Sequence, residues 1–117
     1  MVYEYQAKVI DVYDGDSCTI LIDLGFNITL EEKCRLYGID TPELRSKNLQ
    51  EKELARQARD YLKGLVMDQE VTVITHKEGK YGRYLVDIYR NDILVNDMLI
   101  ARGFAKPYYG GKREPWF

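Results

Sequence analysis

The chain has 117 residues with 45% hydrophobic and 31% charged side chains, a composition ordinary for one soluble globular domain spanning 1–117 and too short for two cores. A net charge of −2 excludes a protein that coats nucleic acid by bulk positive charge. The charge is uneven, however, because residues 1–75 carry 9 Lys+Arg against 14 Asp+Glu and residues 76–117 carry 8 against 5, so an acidic part and a basic part can meet at one site.

In chain order, residues 5–13 alternate as a first strand and Asp14-Gly15-Asp16 signals a turn. Ser17 to Leu24 reads as a second strand, Gly25-Phe26-Asn27 as a turn, and Ile28 to Tyr37 as a third strand, giving an antiparallel meander. Residues 44–50 lack periodicity and read as a loop. From Glu51 to about Asp68 the period becomes helical, with Leu54, Ala58, Tyr61, Leu62, Leu65 and Val66 on one face. Val71 to Thr75 is a fourth strand, Glu78 to Tyr84 a basic turn, and Leu85 to Arg90 a fifth strand. Asn91-Asp92 turns the chain into a short helix, about Val95 to Arg102, with Gly103 where a left-handed cap is wanted. The predicted class is α+β, mainly β: a five-stranded Greek-key barrel of the oligonucleotide-binding (OB) type, with a helix between strands three and four and a short C-terminal helix. An open α+β sandwich is the alternative.

Three carboxylates fall at strand ends: Asp16 before the second strand, and Asp40 and Glu43 past the third. Hard divalent cations favour such oxygen ligands, and a site with few carboxylates leaves room for water and a phosphate. A single histidine and only two cysteines argue against zinc. Arg35 and Arg83 add guanidinium groups that suit the equatorial oxygens of a phosphoryl transition state. Taken singly, each of these is an ordinary turn, cap or surface charge. His76 reads as an exposed strand residue. Cys18 and Cys34 come near each other if strands two and three pair, which leaves open a disulfide or, as a cytosolic chain favours, two reduced thiols.

In combination, Val12-Tyr13-Asp14-Gly15-Asp16-Ser17, Arg35-Leu36-Tyr37-Gly38-Ile39-Asp40-Thr41-Pro42-Glu43, Lys80-Tyr81-Gly82-Arg83, Val95-Asn96 and Arg102-Gly103 with Ala105-Lys106 resemble the thermonuclease family of staphylococcal nuclease-like domains. The resemblance implies a calcium-dependent nuclease acting on single-stranded or frayed DNA and on RNA with little sequence preference, leaving 3′-phosphate ends. It implies Asp16, Asp40 and the Thr41 carbonyl as calcium ligands, supported by Asp14. It further implies Glu43 as the residue that orients or deprotonates water, Arg35 and Arg83 as the phosphate clamp, and Lys80, Tyr81 and Tyr108 as substrate contacts. A patch of Lys77, Lys80, Arg83, Lys106, Lys112 and Arg113 is expected to hold the nucleic acid. No membrane segment or obligatory protein partner is expected, and the chain reads as a cytoplasmic monomer. The tail resembles that of shorter bacterial and phage members, with Trp116 expected to fold back where longer members carry a third helix. A binding module of the same fold, without catalysis, is the alternative.

Overall fold

The computed structural model describes residues 3–78 and 84–117. Five strands close on themselves: β1 (Glu4–Asp14), β2 (Ser17–Asp23), β3 (Thr29–Leu36), β5 (Glu70–Glu78) and β6 (Tyr84–Arg90), interrupted by a two-residue β4 (Ile39–Asp40). The hydrogen-bonded order is β3-β2-β1-β5-β6, and a parallel pairing of β3 with β6 seals the barrel. Closure removes the exposed edges that an open sheet of this size would present. The expected five-stranded OB-type barrel with two helices is therefore the fold.

β1 owes its curvature to irregularities in its pairing with β2. Val9 faces Ile20 and Asp11 faces Thr19, so Ile10 is an extra residue that lets Val9 and Val12, three apart, both reach the core. A second shift between Val12 and Asp14 brings the chain tightly into the turn at Gly15. This glycine is needed for space: a Cβ there would lie 2.8 Å from the Ala58 Cβ and 3.1 Å from the Thr41 Cγ2.

Helix α1 (Leu49–Val66) begins two residues earlier than the periodicity indicates, because the Asn48 side chain accepts hydrogen bonds from the Gln50 and Glu51 amides. It buries Ala55, Ala58, Leu62 and Val66 against one side of the barrel. A two-residue turn at Asn91 and Asp92, both left-handed, joins β6 to a short β7 (Ile93–Leu94) that leads directly into α2 (Val95–Ala101). Gly103 is left-handed at φ +79°, as expected of a helix end. Finally β8 (Lys106–Pro107) pairs with β4. The short strands β4, β7 and β8 carry no readable alternation, and β4 and β8 exist only because each supplies the other's partner. Among the described residues, no helix is long and apolar enough to cross a membrane.

Asn96, buried in α2, ties three segments together. Its side-chain oxygen accepts from the Ile88 amide at 3.1 Å, and its amide group donates to the Tyr37 carbonyl at 2.9 Å and the Val86 carbonyl at 3.2 Å. The end of β3 is thereby fixed to β6 just before the chain reaches Asp40.

Candidate active site

Asp16 stands at the first corner of the barrel, immediately before β2. Its carbonyl accepts from the Leu36 amide at 2.8 Å, so the corner is pinned to the end of β3. Its amide donates to Asp14 Oδ1 at 3.1 Å, and Ser17 donates its hydroxyl to Asp16 Oδ1 at 3.1 Å. Register places Arg35 opposite Ser17. The Arg35 guanidinium then lies 3.5 Å from Asp16 Oδ2 and 3.9 Å from Asp40 Oδ1, so one fixed cation spans two carboxylates 24 positions apart in sequence. Both acids are almost wholly buried, while Arg35 is about a third exposed at 31%. Burial, together with the neighbouring Asp14 carboxylate, pushes the Asp16 carboxyl up to about 7, with Arg35 and Ser17 pulling the other way.

Thr41 is buried beside Asp40, and Glu43 projects outward with a side chain 58% exposed. The loop carrying Glu43 is held from α1: Glu51 accepts from the Glu43 amide through one oxygen and from the Ser46 hydroxyl through the other, both at 3.0 Å. Glu51 thus positions the candidate site. The sequence signal for it was the Asn48-x-x-Glu51 spacing of a helix start, although Glu51 reaches past the cap to Glu43.

The least expected occupant is Arg113. Its Nε donates to Asp40 Oδ1 at 2.8 Å, one terminal nitrogen donates to Asp40 Oδ2 at 3.1 Å and to the Thr41 carbonyl at 3.3 Å, and the other bonds Glu43 Oε1. Burial opposes its charge, but hydrogen bonds and attraction to Asp40, then to Glu43, more than compensate and raise its pKa. Trp116 does fold back, donating its indole N–H to Asp40 Oδ2 at 3.3 Å, with Lys106 Nζ 4.3 Å from its ring centroid and 3.1 Å from the Pro115 carbonyl. Arg113 and Lys106 are therefore turned to partners within the chain, which corrects their assignment to a free basic patch; Lys112 is exposed.

The tail's path is built step by step. Lys106 pairs with Asp40 in the β4–β8 ladder, the Tyr108 amide donates to the Gly38 carbonyl at 2.8 Å, and the Tyr108 hydroxyl donates to the Gly111 carbonyl at 2.7 Å across two left-handed glycines. Tyr108 is thus engaged within the tail, and the ring presented outward is that of Tyr109, 75% exposed and edge-on to Tyr37 at 5.6 Å. His76 is not the exposed residue expected: it is half-buried, stacked on Tyr37 with ring centroids 3.8 Å apart, and its Nε2 lies 3.0 Å from Asp87 Oδ2. Cys18 and Cys34 face each other as two free, buried thiols. Lys80, Tyr81 and Arg83 lie outside the described residues, as does the side chain of Lys77.

The cluster's donors are all oxygen: two buried carboxylates and the Thr41 carbonyl, with Glu43 at the rim. Asp40, the Thr41 carbonyl and Glu43 already converge on one positive charge, the Arg113 guanidinium, and Asp16 faces another, Arg35, so the set fits a hard cation such as calcium. Among the described residues no three His, Cys, Asp or Glu side chains form a ready-made cage. An open site of this kind leaves coordination to water and a phosphate.

A closed five-stranded barrel with buried carboxylates and an arginine gathered at one corner defines a protein of the nuclease-like OB class. The chain belongs to the family described as staphylococcal nuclease homologue, whose sequence profile matches residues 33–115. That stretch includes every expected site residue except Asp16 and its supporting Asp14. The thermonuclease of Staphylococcus hyicus is 31% identical over 105 residues, covering 88% of this chain and 59% of that protein. The thermonuclease of Staphylococcus intermedius is 33% identical over 81% of this chain and 55% of its own length. An uncharacterized endonuclease of Escherichia coli is 27% identical over 96% of this chain and 67% of that protein. The chain spans about half to two thirds of the length of these relatives.

Proposed function

We propose that this chain is a calcium-dependent nuclease that hydrolyses phosphodiester bonds of single-stranded or frayed DNA and of RNA, acting as one domain and as a monomer. The observation that carries this reading is the convergence of Asp16, Asp40, the Thr41 carbonyl and Arg35 at one corner, with Glu43 at its rim. Asp16, Asp40 and Thr41 would hold the calcium ion. Bound there, it would supply charge to polarise a phosphate oxygen and orient the phosphate.

The chain's own residues supply the rest. Arg35, held by two carboxylates but partly open to solvent, is preorganised to bind a non-bridging phosphate oxygen and to take up charge that grows in the transition state. Glu43, exposed and anchored through its amide to Glu51, would accept a proton from water attacking in line. Arg83, Lys80 and Tyr81 complete the clamp and substrate contacts by resemblance to the family, and 3′-phosphate ends are the expected product. Contacts to phosphate and stacking on an aromatic ring read no sequence, so cleavage should be sequence-tolerant.

The test is digestion of heat-denatured DNA by purified protein and its Glu43→Gln and Arg35→Ala variants in calcium, with end-group analysis. Each variant should lose on the order of a hundredfold in kcat, the effect of removing one preorganised charge partner. Wild-type rates in either variant would refute the residue roles. DNA binding with no cleavage by the wild type would favour a binding module of the same fold.

A further inference from the structure

The reading of this corner as a cation site leads to its regulation. We infer that the tail, residues 108–117, is a latch in which Arg113 holds the place of the divalent cation, and that cation binding and latch release are one event.

The tail engages the oxygens of Asp40, Thr41 and Glu43, while Asp16 faces Arg35 and Ser17 instead. Asp40 Oδ1 accepts from Arg113 at 2.8 Å, and Asp40 Oδ2 accepts from both Arg113 at 3.1 Å and Trp116 at 3.3 Å. The Thr41 carbonyl and a Glu43 oxygen accept from the same guanidinium. A guanidinium and a divalent cation drawn to the same oxygens repel each other and compete for the same lone pairs. The carboxylate assigned to activate water is also occupied while Arg113 is bound to it. Cation binding therefore displaces Arg113, and its departure frees Asp40, the Thr41 carbonyl and Glu43.

The latch is built to be reversible. Arg113 is 37% exposed and Glu43 58%, so solvent screens part of their attraction. The tail's base is held by the Tyr108–Gly38 hydrogen bond and the Tyr109–Tyr37 ring contact, and further along it has the Lys106–Pro115 and Tyr108–Gly111 hydrogen bonds, both exposed, and the Lys106–Trp116 contact. Gly110 and Gly111, with φ +108° and +87°, give the return bend a backbone that other residues rarely adopt. Register between β4 and β8 keeps the base of the tail beside Asp40 whether or not its tip is docked.

Trp116 is the only tryptophan, and it reports the latch directly. Calcium is titrated into wild type, Arg113→Ala and the exposed-charge control Lys112→Ala, following heat by calorimetry and Trp116 by emission and acrylamide quenching. A latch docked nine parts in ten lowers apparent affinity about tenfold, so Arg113→Ala should bind calcium about tenfold more tightly than wild type, with Lys112→Ala within about twofold. Calcium should shift wild-type emission to the red and raise quenching, and Arg113→Ala without calcium should already show the released signal. Arg113→Gln, which keeps most of the side-chain bulk, should behave as Arg113→Ala does. If calcium binds all variants with equal affinity and Trp116 does not respond, the latch is refuted while the cation site stands. If none binds calcium, the cation site fails and the latch with it.

Discussion

Replacing Asn96 by alanine should destabilise the protein far more than its small size suggests. The Ile88 amide, in a residue with 0% exposure, would lose its acceptor, and leaving a buried donor unsatisfied costs about 1–3 kcal/mol. The Val86 carbonyl keeps a second donor, the Tyr37 amide at 2.8 Å, so its loss is minor. The Tyr37 carbonyl loses the 2.9 Å bond that ties the end of β3 to α2. Adding this and the lost packing gives a total of about 3–5 kcal/mol, a large part of the 5–15 kcal/mol typical of a domain. Urea melts followed by far-ultraviolet circular dichroism, with chelator present, measure it directly. Asp97→Ala, one residue on and exposed, should change stability by less than about 1 kcal/mol. A cost below about 1 kcal/mol for Asn96→Ala would refute the view that this side chain locks the approach to Asp40.

Gly15→Ala should cost about 1–3 kcal/mol by overpacking, since its Cβ would lie 2.8 Å from the Ala58 Cβ and press on Thr41. Thermal melts should show Ala58→Gly recovering part of that loss; additive losses would contradict the close contact. Asp16 makes stability depend on pH: its folded pKa of about 7 exceeds the ordinary 3.8, so its contribution is fully present below pH 4 and lost as pH rises through 7. In chelator, wild type should lose up to about 4 kcal/mol between these limits through this one group, and Asp16→Asn should flatten the profile. Identical pH profiles for the two proteins would exclude it. Burial pushes the Cys34 thiol up to about 12 and Cys18 further, so neither should react with an aromatic disulfide reagent in the native state on the time scale of minutes. Rapid labelling of two thiols per chain would show that the strand pair opens.

The parts of the fold that were legible are those that bury a regular face. Alternation in β1 and the helical spacing of α1 each follow from a core on one side, and these two elements and β2 appear within a few residues of their expected bounds. The left-handed turns at Gly25 and Gly103 were legible because residue type and backbone conformation are linked locally. The two-residue strands were not, since Ile39 and Asp40 are strand only by virtue of Pro107 and Lys106, 66 or more positions away.

The candidate site shows the same division. Asp16, Arg35 and Asp40 could be grouped from strand pairing alone, and the Arg35 distances of 3.5 and 3.9 Å bring them together. Arg113 could not be foreseen on Asp40, because no local pattern reveals where a tail lands after a bend at two glycines. His76 was misjudged for a related reason: its exposure depends on Tyr37, which arrives from the turn after β3. The reading of Gly15 as a turn residue missed that its lack of a side chain makes room for Thr41 and Ala58.

Under the proposed function, the corner formed by Asp16, Arg35, Asp40 and Glu43 cuts nucleic acid with the help of a calcium ion. Release of acid-soluble nucleotides from heat-denatured DNA by the wild-type chain, in calcium and again with excess chelator, tests it most directly. Steady release in calcium that stops on chelation is the expected result. No release in calcium, or release indifferent to the chelator, would contradict the claim.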